Sequence, residues 1–266
     1  LATAIGSLTT TLVLLIHFIK RKNRIKISFK EVSFSMIKKV VGCGISTFLM
    51  EVASGFVIFI FNIQIIKYIG DIGIVVYGII SNCIIVGMAL FNGVAQASQP
   101  IIATNYGAKE KCRVKKVFEY AMKTTILLGF LLFSIVFIFT KEVICIFVKA
   151  DYRIINMGVP AVRMYLSAFC IMNINVLFAN YFQSTEREKI SIIISITRGF
   201  LLNVILVLSL PTILGGLSLW VIVPLTEIIS LLGIILYIKK YYYKSNENIK
   251  CNNFELTNEI EYKNIQ

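Results

Sequence analysis

Charged residues are confined to short stretches of this chain, and the long runs between them limit its fold more than any motif does. Residues 72–108 contain no Asp, Glu, Lys or Arg, and neither do 1–19, 124–140, 164–185 and 199–226. A helix that crosses the hydrocarbon core of a bilayer needs about 20 mostly apolar residues. Backbone polar groups in lipid must be satisfied within the segment, which favours helices for runs of this length. Composition agrees: 57% of residues are hydrophobic and 15% charged, against about 25% charged in an ordinary globular chain. The sequence therefore predicts an all-α polytopic membrane protein and excludes a soluble enzyme.

Seven apolar segments can be marked: 1–19, 41–66, 74–104, 118–140, 159–183, 191–210 and 217–238. In the first, Lys20, Arg21 and Lys22 follow the apolar run. A signal peptide carries its charges before that run, so 1–19 reads as a truncated transmembrane helix. If the seven segments alternate across the membrane, 22 of the 27 Lys and Arg residues fall on one side. That asymmetry places the basic linker 20–40, the 105–117 and 184–190 loops and the C-terminus in the cytoplasm. It also accounts for the net charge of +13 without nucleic acid, which would select a basic face on a folded domain. Within the linker, Ser33, Phe34, Ile37 and Val41 fit an interfacial helix. The tail 239–266 begins with an aromatic and basic anchor and continues as a polar segment whose composition reads as disordered.

Polar side chains inside the spans are costly and mark candidate function. Glu51 lies about ten residues, or about 15 Å, into the second span. Thr47, Ser54 and Asn62 share its helical face. A carboxylate on such a stripe can bind H⁺ or Na⁺, or can hydrogen-bond a neighbouring helix. The third span carries Tyr77, Ser81, Met88, Asn92, Gln96 and Gln99, which either line a wet cavity or join helices. Pro100 favours a kink or break in that span, and Gly107 a left-handed stop. In the fifth span Asn173 and Asn180 share a face with Asn175 nearly opposite; either Asn173 or Asn175 can coordinate an ion through its carbonyl oxygen or serve in packing. Glu227, the other deep acid, follows Pro224, whose freed backbone offers its carboxyl a partner. Arg163 and Arg198 sit near span ends, where snorkelling to the headgroups is the simplest reading.

Nothing in the sequence supports catalysis. There is a single histidine, and the six cysteines show no CxxC pair or metal-ligand spacing. No Walker loop or Ser/His/Asp set is present. No cofactor is implied, and transport without an ATP site has to draw on an ion gradient.

The run Gly93-Val-Ala-Gln-Ala-Ser-Gln-Pro-Ile-Ile-Ala-Thr-Asn-Tyr-Gly-Ala108 resembles the end of the eighth helix of MATE (multidrug and toxic compound extrusion) transporters. Gly42-Cys-Gly-Ile-Ser-Thr-Phe-Leu-Met-Glu51 and Asn180-Tyr-Phe-Gln-Ser-Thr-Glu-Arg-Glu-Lys189 look like the start of the seventh helix and the end of the tenth. Arg198, Asn203, Leu210-Pro211, Gly216-Leu-Ser-Leu-Trp220 and Pro224 resemble the last two. The resemblance implies that 1–19 is the family's sixth helix and that 41–238 is the six-helix second lobe of a two-lobe, V-shaped antiporter, with the N-terminal lobe absent. It implies export of drugs or organic cations across the bacterial cytoplasmic membrane, coupled to Na⁺ or H⁺. It points to Glu51 as the coupling acid. Where some members carry a tenth-helix aspartate, this chain offers Asn173 and Asn175, which leaves the ion open. Two rivals stand beside it: a lipid-linked oligosaccharide flippase or polysaccharide exporter of the same superfamily, and a seven-helix receptor or scaffold.

Overall fold

The computed structural model describes residues 5, 6, 8–13, 52–148 and 151–242, and the regular elements within them are helical. Two compact units divide the chain, Leu1–Leu49 and Met50–Gln266. In the first, the described residues form helix in which the Thr9 and Thr10 hydroxyls donate to the Ile5 and Gly6 carbonyls at 2.8 and 2.9 Å. Such i−4 bonds hide hydroxyls from lipid. The linker 20–40 and most of the expected tail, from residue 243 onward, lie outside the described residues.

The described part of the second unit is a succession of helices. Helix α1 is Val52–Tyr68, α2 is Asp71–Gly107, α3 is Lys111–Ile138 and α4 is the short Thr140–Phe147. Helices α5 (Tyr152–Leu166) and α6 (Phe169–Ser184) make one span, tightened between them by i→i−3 bonds from Ala168 to Tyr165 and from Cys170 to Ser167. Helices α7 (Glu188–Ile196) and α8 (Leu202–Leu214) make another, joined by a π-helical segment at Thr197–Leu201. A 3₁₀ turn, Gly216–Trp220, leads into α9, Ile222–Tyr242. Five of these stretches are long and apolar enough to cross a membrane, and α1 adds a shorter apolar helix.

Burial separates centre from periphery. In the best 18-residue window, 61% of the α5–α6 span is buried but only 11% of the α7–α8 span and 17% of α3. Exposed Leu127, Phe130, Ile192 and Ile193 are what lipid-facing surfaces require, because tails solvate them. The core gathers α1, α2, α5 and α6. Phe61 stacks on Tyr77 with centroids 5.5 Å apart, Tyr165 meets both at 6.3–6.4 Å, and Phe91 stands edge-on to Phe169 at 5.4 Å. Tyr77, for which the sequence leaves cavity lining and helix joining open, is a core residue within hydrogen-bonding reach of Tyr165 of α5 and of Ser81.

One expectation about α2 fails and another is narrowed. The helix runs through Pro100 without a break, and the Thr104 hydroxyl donates to the Pro100 carbonyl at 2.8 Å. With no water to take over freed backbone groups, continuing the helix past one missing N–H costs less than unwinding it. Gly107 ends the helix with no positive φ; Lys109 takes the left-handed position, φ 62°, and Glu110 N–H closes onto the Asn105 carbonyl at 2.9 Å. That six-residue closure is a Schellman ending with lysine in place of glycine.

Gly129 does matter to packing. A Cβ there would overlap the Asn173 amide and lie 2.6 Å from the Phe169 carbonyl, whereas one at Gly93 meets nothing within 4 Å. Gly129→Ala is expected to cost about 1–3 kcal/mol by overpacking the α3–α6 contact. Gly93→Ala should leave the unfolding temperature level or slightly raised. Thermal unfolding of the two variants in one detergent distinguishes them.

Candidate polar site at the centre of the helical unit

Asn173 and Asn175 are two residues apart on α6, so their side chains diverge by about 200° around the helix. Asn173 turns to α3, where its Nδ2 donates to the Thr125 carbonyl at 2.6 Å while its Oδ1 accepts from Ile174 N–H at 2.7 Å. Both ends of this amide are engaged, which is the packing alternative of the two the sequence leaves open for Asn173. Asn175 turns to α9. Its Nδ2 donates to the Glu227 main-chain carbonyl at 2.9 Å and to the Glu227 carboxylate Oε2 at 2.6 Å.

The other carboxylate oxygen of Glu227 faces Arg198, with Nη1 3.5 Å from Oε1. The same Nη1 donates to the Met172 carbonyl of α6 at 3.4 Å. Side-chain exposure is 5% for Glu227 and 18% for Arg198. Helices α6 and α9 and the π segment therefore meet at a buried ion pair. On the far side, the Asn203 amide donates to the Arg198 carbonyl at 2.7 Å, and the Thr226 hydroxyl donates to Asn203 Oδ1 at 3.4 Å.

Arg198 is not a snorkelling residue. A π turn holds one more residue than an α turn, which rotates the remainder of the helix by about 100°. Arg198 is the second residue of that segment and its charge points inward. Glu227 likewise bonds Arg198 and Asn175 rather than backbone freed by Pro224. Removing either charge strands the other in a medium that solvates it poorly. One feature is unbalanced: Asn175 is fully buried, and its Oδ1 has no hydrogen-bond partner among the described residues.

The other expected site residues do not join this cluster. Asn62 and Asn180 donate to carbonyls of their own helices, Ile58 and Val176, at 2.9 Å. Ser54 and Gln96 are exposed, and Ser81, Asn92 and Gln99 half-buried. Thr47 and Glu51 lie outside the described residues. Arg163 donates from Nε to the Thr140 hydroxyl at 3.1 Å and covers the Phe137 ring at 4.6 Å, pinning the α3–α4 junction. Among the described residues, no three His, Cys, Asp or Glu side chains gather as a metal site would require.

Comparison with known proteins places this arrangement. The chain is 24% identical over 201 residues to the Multidrug export protein MepA of Staphylococcus saprophyticus subsp. saprophyticus, covering 75% of this chain and 44% of that one. It spans less than half the length of that curated relative. Among solved structures, it resembles a multidrug resistance MATE family transporter of the MOP superfamily in an outward-facing conformation (TM-score 0.71, 18% identity, 87% of this chain and 52% of that one). It matches an inward-facing conformation nearly as well (TM-score 0.70, 18% identity, 84% and 53%). A MOP superfamily transporter from Pyrococcus furiosus, described by the reverse polarity of its binding pocket and a suggested different function, shares the fold (TM-score 0.69, 18% identity, 88% and 54%). The MatE family model matches residues 45–208; the chain is a multi-pass membrane protein and belongs to the MatE family, whose members are transporters and not enzymes.

Proposed function

We propose that this chain supplies the second lobe of a cation-coupled antiporter that exports drugs or organic cations across the bacterial cytoplasmic membrane, with its C-terminus in the cytoplasm. The carrying observation is electrostatic. Glu227 is compensated by Arg198 at 3.5 Å, which leaves Glu51 as the other deep acid the sequence offers. A negative charge of that kind attracts an organic cation and can instead hold H⁺ or Na⁺, so the two compete. The half-buried Ser81, Asn92 and Gln99 and the exposed Gln96 form the flank of α2 that would look into the cavity, across from a first lobe belonging to the same protein. Similar likeness to outward- and inward-facing relatives supports a lobe that moves largely as a body, the rocking expected of such folds.

The lipid-linked oligosaccharide flippase reading remains the rival, and the Pyrococcus furiosus relative illustrates how cavity polarity separates functions on one fold. A pyrophosphate-bearing lipid calls for unpaired cations in the cavity, whereas the Arg198 charge is matched by Glu227. Cells expressing the protein are expected to expel a lipophilic cationic dye and to stop when the ion gradient is collapsed. Dye retention, together with translocation of a polyprenyl-linked sugar by the reconstituted protein, selects the rival.

A further inference from the structure

We propose that the membrane edge where α3 meets α4 binds one anionic phospholipid, its phosphate held by the Arg163 guanidinium and an acyl chain lying in the groove along α3 from Phe139 back to Leu127.

The charge is set in place by its neighbours. Arg163 lies in the last turn of α5, half-buried. Its Nε donates to the Thr140 hydroxyl at 3.1 Å, and its guanidinium covers the Phe137 ring at 4.6 Å. Thr140 is fully buried, and its hydroxyl proton is directed to the Val136 and Phe137 carbonyls at 2.6 and 3.0 Å. The oxygen is thereby left to accept from Arg163. A guanidinium has five N–H donors. Among the described residues this one uses Nε alone, and no carboxylate lies within ion-pair distance of it. Lys141 and Glu142, side by side at the start of α4, cancel in charge, and Asp151 pairs with Arg153 at 3.7 Å. The two Nη groups of Arg163 therefore remain as a fork of the kind that takes a phosphate through two parallel bonds. An unmatched cation at the edge of an apolar span calls for an anion.

The groove selects a lipid over a soluble anion. It runs from Phe139 past Ile138, Ser134 and Leu131 to Phe130 and Leu127, holds about 270 Å³ and has Ser134 as the one polar residue of its lining. Phe139 directly precedes Thr140, so the groove begins beside the residue that holds the guanidinium. The distance along the helix from Leu127 to Phe139 is about 18 Å, close to half of a hydrocarbon core about 30 Å thick. An acyl chain of one leaflet spans that depth. A zwitterionic headgroup brings its own cation to the uncompensated Arg163, whereas an anionic one does not. The site lies at the end of α3 opposite Lys111 and the basic 105–117 loop, so the two patches face different leaflets.

The test is thermal unfolding of the purified protein in mixed micelles titrated with phosphatidylglycerol, with phosphatidylcholine of the same chains, or with soluble glycerol phosphate. Phosphatidylglycerol should raise the unfolding temperature saturably and at a lower mole fraction than phosphatidylcholine, and glycerol phosphate should have no effect. Arg163→Gln should raise the half-saturating fraction of phosphatidylglycerol about tenfold, the loss expected of one charge-assisted bond. Ser134→Phe, which fills the groove and leaves the guanidinium in place, should weaken binding of both lipids; it carries the test if Arg163→Gln does not fold. Arg113→Gln, at the other end of α3, should change nothing. Equal responses to the two lipids, or wild-type half-saturation in Arg163→Gln or in Ser134→Phe, overturn the site. A response that glycerol phosphate reproduces overturns the lipid occupant. One lost in Arg113→Gln but kept in Arg163→Gln overturns the site in favour of the opposite membrane edge.

Discussion

Arg198→Met alone is expected to destabilise the protein by about 3–5 kcal/mol, and adding Glu227→Leu to restore most of that loss. The single change leaves the Glu227 carboxylate, 5% exposed, with one neutral partner, Asn175. The double change removes both charges and fills similar volume with apolar atoms. Asn175 keeps a partner in the double variant, because its Nδ2 also donates to the main-chain carbonyl of residue 227 at 2.9 Å. Reversible unfolding in mixed micelles across the four-protein cycle reads the coupling directly. Additive losses would mean that the pair does not act as a unit, and that the 3.5 Å approach carries little energy.

Glu51→Gln is expected to reduce gradient-driven efflux at least tenfold with little change in the amount of protein in the membrane. Glutamine keeps the shape and hydrogen-bonding capacity of the side chain but cannot change charge when an ion binds. A transition driven by that binding loses about 1.4 kcal/mol for each tenfold drop. Asn173→Ala supplies the contrast. Its amide ties α6 to the Thr125 carbonyl of α3 at 2.6 Å, so its loss should lower stability and abundance while the efflux per molecule stays coupled. Efflux per unit of membrane-inserted protein separates the two effects. Wild-type efflux in Glu51→Gln would move the coupling group to another part of the transporter.

The helical unit was legible because its signal is compositional: charge-free runs such as 72–108 and 199–226 become α2 and the region from the π segment into α9. The divergence of Asn173 and Asn175 was legible too, since it follows from helical pitch alone. Their partners were not, because α3 and α9 reach them from 48 and 52 residues away in sequence. Arg198 was misread for a local reason. Its place near the end of an apolar run suits a snorkelling head, whereas the structure sets it in a π segment, Thr197–Leu201, and pairs it with Glu227 of α9. Nothing in Thr-Arg-Gly-Phe-Leu announces that extra residue per turn. At Pro100 the sequence admits a kink or a break, and the helix is unbroken there because the membrane offers no water to solvate broken backbone bonds.

Antiport itself is tested most directly in vesicles containing the purified protein and a fluorescent organic cation, with an inward gradient of Na⁺ or of H⁺ imposed. The predicted result is faster dye exit under one of the two gradients, accompanied by entry of that ion in fixed proportion to the dye that leaves. Dye exit indifferent to both gradients, or ion entry unchanged by the presence of dye, would contradict it.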